Sequence, residues 1–229
     1  MKLYLLSGWA TKSTVWDPVI KIIKDELDVE CVDWWSAIDG ELSRRITGSS
    51  ERSIIAGWSM GGQISLIEAA RHPDNVAGLF LISSMACLVE KGERPGVARE
   101  TPSQIRLMLE RNREAYLRSF FTRCLSPFQN SQLVDNLLDE SDSITMESLL
   151  SGLEFMADTE ATFIAEVPIM TVHGREDGII PWECSEYICS NTSGHSRVRY
   201  LKNSGHLLPL TEPEAIGNLL NEFCDYCIS

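Results

Sequence analysis

The sequence predicts an α/β protein, with a mostly parallel sheet of about six strands, helices on both faces and a helical segment inserted between two strands. Three observations carry this. Short apolar runs alternate with stretches of helical period, the pattern of strands buried on both faces beside their covering helices. Between about Met85 and Ala165 the alternation stops and only helical spacing remains. The length, 229 residues, suits one well-buried core and is short for two complete domains.

Each element has its own signal. Lys2 to Leu6 is an apolar run ending at Ser7-Gly8, a strand followed by a turn. Val15, Val19, Ile22, Ile23 and Leu27 recur at helical spacing with Asp17-Pro18 near the start, predicting one helix from Val15 to Leu27. Val29 to Val32 and Ile54 to Gly57 read as strands, and Met60 to Arg71 as a helix rich in Ala, Ile and Leu. Val76 to Ile82, Val167 to Val172 and Val198 to Leu201 complete the strands, and Glu214 to Tyr226 closes the chain as a helix. Inside the interruption, Ser103 to Leu125, Ser131 to Leu138 and Met146 to Ala157 are expected to be helical. The division expected is therefore a core of residues 1–84 and 166–229 with a helical cap over 85–165.

Composition excludes several classes. Hydrophobic residues at 44% and charged residues at 23% are ordinary for a soluble domain. No run approaches the roughly 18 apolar residues of a membrane span. The opening MKLYLLSGWA is too short in apolar residues for a signal peptide, so a cytoplasmic monomer without membrane attachment is expected. Seven cysteines, an odd number without an export signal, read as buried small hydrophobes. Cys224 and Cys227 form the only C-x-x-C and lack a second ligand pair, so neither metal nor cofactor is expected. A net charge of −13 argues against nucleic acid. The charge is uneven: seven of fourteen arginines lie between Arg94 and Arg123, opposed there only by Glu100, Glu110 and Glu114.

Gly57-Trp58-Ser59-Met60-Gly61 is a G-x-S-x-G sequence between a strand and a helix. A serine on so sharp a turn needs small residues two before and two after it, and the turn lifts its hydroxyl clear of the sheet. That hydroxyl needs a base, and the base needs an orienting acid. Of four histidines, His72 ends a helix before Pro73, His195 lies in a polar loop, and His173 reads as a packed or hydrogen-bonded residue of its turn. His206, in Ser204-Gly205-His206 between the last strand and the last helix, falls where a Ser-Asp-His order puts the base. Asp177, in His173-Gly174-Arg175-Glu176-Asp177 after the preceding strand, is the candidate acid, with helix capping as its other use. Glu176 is expected to face solvent. The oxyanion donors expected from this pattern are the backbone N–H groups of Met60 and Trp9. The Trp9 indole either lines a pocket or fills the core.

These residues resemble the α/β-hydrolase superfamily over essentially the whole chain. Within it, Gly8-Trp9, Gly57-Trp58-Ser59-Met60-Gly61-Gly62, Gly174 with Asp177-Gly178 and Pro181, and Gly205-His206 are similar to the pimeloyl-[acyl-carrier protein] methyl ester esterases of biotin synthesis. The resemblance implies a cofactor-free serine carboxylesterase removing the methyl group from a pimeloyl chain on acyl carrier protein. It puts the nucleophile at Ser59, the acid at Asp177, the base at His206, and substrate contacts at Trp9 and Met60. It also implies that cap arginines receive the acidic carrier. Arg106 and Arg113 are seven residues apart on one face of the expected helix, and Arg111 and Arg118 share another. Glu110 is in reach of Arg106 and Arg113, and Glu114 of Arg111 and Arg118, so local ion pairing is the other reading of this spacing. Phe120 and Phe121 either line the acyl channel or pack the core. The sequence departs from the family at Ser7-Gly8, where His-Gly is usual, and in the cap, which matches loosely.

Three other functions share these features. A menaquinone-pathway lyase has a similar nucleophile motif but an arginine where this chain has Gln63. A general carboxylesterase or lactonase would carry the same triad. A non-catalytic binding protein on a hydrolase scaffold is the third.

Overall fold

The computed structural model describes residues 1–161 and 166–228, so residue 165, the expected end of the insertion, lies outside the described residues. Six strands form one sheet: β1 (Lys2–Leu6), β2 (Asp28–Val32), β3 (Ser53–Trp58), β4 (Val76–Ile82), β5 (Ile169–Gly174) and β6 (Ser196–Leu201), in the order β2-β1-β3-β4-β5-β6. Every pairing is parallel, with Leu6 beside Gly57, Trp58 beside Ile82 and Gly174 beside Leu201. A parallel sheet puts the C-terminal ends of all its strands on one edge, where the connecting loops can meet. The loops after β1, β3, β5 and β6 meet there.

The described helices are α1 (Asp17–Ile20), α2 (Trp34–Ile38), α3 (Glu41–Thr47), α4 (Met60–Arg71), α5 (Thr101–Arg111), α6 (Arg113–Leu125), α7 (Ser131–Ser141), α8 (Met146–Asp158), α9 (Glu183–Ser190), α10 (Leu208–Thr211) and α11 (Pro213–Ile228). β3 and β4 are buried at every position, as central parallel strands are. β6, at the sheet's edge, alternates instead and turns Arg197 and Arg199 outward. Trp16, Trp34 and Trp58 are the largest fully buried side chains. No helix among the described residues is long and apolar enough to cross a membrane.

Two expected helices are corrected. The single helix over Val15 to Leu27 is a 3-10 turn (Ser13–Trp16), the four-residue α1 and then turns. Asn221 of α11 accepts from the Lys24 N–H (3.1 Å) and donates to the Ile22 carbonyl (2.9 Å), satisfying the backbone groups that a longer helix would have paired. The helix expected over Ser103 to Leu125 is two, α5 and α6, separated at Asn112. Asn112 is extended (φ −162°, ψ 93°), and its side chain accepts from the Ala115 N–H at 3.0 Å. An asparagine that can cap competes with helix continuation. Arg106 and Arg113 therefore lie on different helices, as do Arg111 and Arg118, and neither pair shares a continuous helical face.

The stretch between β4 and β5 carries α5 to α8 and, among the described residues, no strand of the sheet. It is bonded to the core at the sheet's loop edge. The Trp9 indole donates to the Leu149 carbonyl (2.9 Å), and Gln63 donates to the Met156 and Thr159 carbonyls (3.3 and 2.6 Å). The Cys124 carbonyl, in α6, accepts from the His206 and Leu207 N–H groups (3.2 and 3.1 Å).

Candidate active site

Ser59 sits between β3 and α4 with φ 55° and ψ −118°, a strained conformation for a non-glycine residue. The flanking glycines make it possible. A Cβ on Gly57 would lie 2.4 Å from the Gly61 backbone, and one on Gly61 would lie 2.6 Å from the Leu6 carbonyl. The Ser59 N–H donates to the Ile82 carbonyl at 2.8 Å, which pins the turn to β4. Met60 is the first residue of α4, so its N–H has no acceptor within the helix. The Met60 side chain is fully buried and does not line the cavity in front of Ser59, leaving its backbone as the group available there.

On the facing loop, the Gly8 carbonyl accepts from the Thr11 N–H (3.2 Å) and hydroxyl (2.9 Å), closing a tight turn around Trp9. A Cβ on Gly8 would be 2.7 Å from the Trp58 ring, so Gly8 and Trp58 form one packing unit. The Trp58 indole donates to the His206 carbonyl at 2.8 Å, and its ring lies 5.3 Å from the imidazole. The residue before Ser59 thus touches the candidate base.

His206 is buried, and its Nδ1 lies 2.8 Å from Asp177 Oδ2. A carboxylate only accepts, so Nδ1 carries the proton and Nε2 is left as the base. Nε2 is buried and has no hydrogen-bond partner among the described residues, Ser59 included. Asp177 is also buried. Its Oδ1 accepts from the Ile179 and Ile180 N–H groups (2.8 and 2.9 Å), a helix-cap-like turn, while Oδ2 faces both His206 and His173 (2.8 and 3.1 Å). The same side chain therefore serves both readings made of it from sequence. Burial alone would raise the Asp177 pKa. The positive charge of a protonated His206 and hydrogen bonds from His173 and His206 more than offset that, holding the carboxyl well below the usual range. Close approach of the two loops depends on glycine: a Cβ on Gly174 would be 2.2 Å from the Gly205 carbonyl. Glu176 is exposed, as expected, and His195 is a surface residue packed edge-on against Tyr226. His72 bonds Ser43 at 2.6 Å at the end of α4.

Ser59 opens into a cavity of about 170 Å³ lined mainly by apolar side chains, among them Trp9, Met85, Ile105, Tyr116, Phe120, Leu153 and Met156. Trp9 packs edge-on against Tyr116 and Phe120, with ring centroids 6.5 and 5.3 Å away. Phe120 lines this cavity, whereas Phe121 is fully buried and packs the core. Tyr116 and Arg123, which sequence reasoning did not single out, line both this cavity and an outer groove with Met108 and Arg111. Their signal was present, since Tyr116 and Phe120 share a helical face and Arg123 follows three residues on.

The arginine cluster divides by partner. Arg106 pairs with Glu154 and Glu110, Arg113 with Asp142 (3.2 Å), and Arg118 with Asp135 (2.6 Å) and Glu114 (3.7 Å). Among the described residues, Arg111 and Arg123 form no ion pair.

Residues 42–213 match the alpha/beta hydrolase fold family, and the chain belongs to that family. It is similar to the pimeloyl-[acyl-carrier protein] methyl ester esterase of Yersinia enterocolitica, 25% identical over 238 residues that cover 96% of this chain and 92% of that one. The protein of the same name from Nitrosomonas europaea is 26% identical over 235 residues, covering 93% and 91%. A hydrolase from Oleispira antarctica has the same fold, with a TM-score of 0.85 over 98% of this chain and 90% of that one at 15% identity.

Proposed function

We propose that this chain is a serine esterase that hydrolyses the methyl ester of a pimeloyl chain held on acyl carrier protein. The observation that carries the reading is the buried His206–Asp177 pair with an unbonded Nε2, on the same loop edge of the sheet as the strained Ser59, which itself opens into an apolar cavity. Ser59 Oγ attacks the ester carbonyl while His206 Nε2 takes its proton. The Met60 and Trp9 N–H groups receive the negative charge that develops on the carbonyl oxygen. His206 then returns the proton to the methoxy oxygen, methanol leaves and Ser59 keeps the acyl chain. Water, deprotonated by His206, attacks the acyl-enzyme; the bond to Ser59 Oγ breaks, His206 returns the proton to Oγ, and the carboxylate is released.

The apolar lining suits a methylene chain, and the groove with Arg111 and Arg123 suits an acidic carrier outside. α5 to α8 act as the cap over residues 85–165, and Arg106, Arg113 and Arg118 add positive charge around the groove. Two similar proteins carrying the same name support the substrate. Gln63 weighs against the lyase reading, because its amide is buried and bonded to the α8 end.

The test compares methyl pimeloyl-acyl carrier protein with a free short-chain ester, using wild type and Ser59→Ala. Ser59→Ala is expected to lose activity by about a hundred-thousandfold or more. Unchanged activity in that variant would remove the triad. Equal kcat/KM on both substrates would remove carrier specificity and leave a general carboxylesterase.

A further inference from the structure

Asp177 is met by two histidines, and the mechanism uses only one. His173, next to last in β5, is fully buried, and its Nε2 lies 3.1 Å from Asp177 Oδ2 and 3.1 Å from the Ile180 carbonyl. Both of those oxygens are acceptors, so Nε2 must carry a proton. On the other side, Nδ1 is 2.8 Å from the Ser185 hydroxyl in α9, a group that can donate to it. The surroundings therefore select the neutral Nε2–H tautomer. The single Nε2–H is shared: it bonds the Ile180 carbonyl and contacts Asp177 Oδ2 at 3.1 Å, beside the His206 donor, while the Ile179 and Ile180 N–H groups hold Oδ1.

We propose that His173 is a positioning residue, holding the Asp177 carboxylate through its Nε2–H and drawing charge from the oxygen that faces His206. The proposal rests on the triad assigned above. Nothing in the proposed reaction consumes His173, and it does not line the cavity. A carboxylate with only the Ile179 and Ile180 donors could rotate about its Cα–Cβ bond or take up water. The His173 bond prevents this and leaves Oδ2 one direction in which to meet the base. The other titratable groups near Asp177 are Cys124 from α6 and Cys184 beside α9's start, whose thiols burial and the Asp177 charge push well up, Cys184 to about 12. Both stay neutral, so neither thiol places a second charge beside Asp177.

Two amide substitutions separate the two sides of the ring. Glutamine can place an N–H where Nε2 stood, whereas asparagine can reach only toward Ser185. His173→Asn is expected to lower kcat on a free short-chain ester by about 10- to 100-fold, the range for partners that orient a functional side chain, with KM little changed. Its acid limb of kcat/KM should move to higher pH, because an unshared Asp177 charge holds the proton on His206 more strongly. His173→Gln should restore both the rate and the limb. Equal losses and unmoved pH limbs in the two variants would mean that His173 only fills space. Nitrogen-15 NMR of histidine-labelled wild type reads the tautomer without turnover and without a variant that must fold. Nε2–H is expected, and a bare Nε2 would overturn the proposal. Full activity of Ser59→Ala would instead remove the triad, and with it any triad role for His173.

Discussion

The loops at the sheet's edge and the helices that cover them were built under different constraints. At the edge, the backbone itself is crowded: Gly57, Gly61, Gly174 and Gly205 each lie where a methyl group would come within 3 Å of another chain segment. In α5 to α8, Gly152 alone among the described glycines is so crowded, an added Cβ lying 2.5 Å from the Trp34 ring, and the breaks between these helices involve no such collision. The first kind of constraint leaves residues that sequence inspection can find. The second leaves an amphipathic pattern whose register one polar side chain can reset.

The residues found and missed follow this division. The candidates Ser59, Asp177 and His206 were legible because each lies within three residues of a glycine that crowded backbone requires, after the C-terminal end of a strand. The strands were legible as apolar runs. Asn112 was not read as a break because the apolar spacing of Leu109, Tyr116 and Phe120 continues across it. The end of α1 was not readable locally, since Asn221, almost 200 residues away, supplies the bonds that stop it. The helices α2 and α3 were missed between two strand signals. His173 was read as a packed or hydrogen-bonded residue of the turn after its strand; it is hydrogen-bonded but lies within β5, and which carboxylate it meets is a fact of three dimensions.

After removal of Ser59 itself, the largest expected effect at the sheet's edge is Asp177→Asn. His206 would lose its fixed tautomer, and kcat should fall by about ten-thousandfold, as when the orienting acid of such a triad is replaced. The same variant has a stability signature. The folded-state pKa of Asp177 is depressed, so its contribution is present above the unfolded value, about 3.9, and is lost as pH falls below it. Wild type should therefore lose unfolding temperature steeply below about pH 4. Asp177→Asn should show a shallower slope, and identical slopes in calorimetry would disprove the assignment.

Gly205→Ala tests the crowding itself. Its Cβ would lie 1.7 Å from the Ser126 carbonyl, so the His206 loop must move away from the end of α6. Both the unfolding temperature and kcat should drop, with His206 N–H protection from hydrogen exchange reduced. Retention of the wild-type kcat would mean that the contact between α6 and this loop is unimportant for the site.

Among the covering helices the effects should be smaller and selective. Arg111→Ala with Arg123→Ala removes the two arginines of α5 and α6 that form no ion pair among the described residues, and KM for the carrier-bound ester should rise by about tenfold at low salt, an effect that shrinks as salt screens the contact. The same substitutions at Arg106 and Arg118 should change less, because those charges already face Glu154 and Asp135. If the second pair proves the more damaging, the paired arginines are the ones that receive the carrier.

The smallest effect expected is at Asn112. Its side chain caps α6 just as Asn130 caps α7 and Thr145 caps α8, each accepting from an N–H three residues on. Loss of such a cap costs about 1 kcal/mol, which for a chain of this size is ~2–4 °C in unfolding temperature. Alanine also favours helix where asparagine interrupted it, so Asn112→Ala lets α5 and α6 merge and brings Arg106 and Arg113 toward the single face that the bare sequence suggested. Hydrolysis of the free ester, set by the sheet's edge, should then stay near wild type, while KM for the carrier-bound ester changes. If both substrates change together, the break at Asn112 shapes the acyl cavity through Tyr116 and Phe120, and the covering helices are as much a part of the site as the loops beneath them.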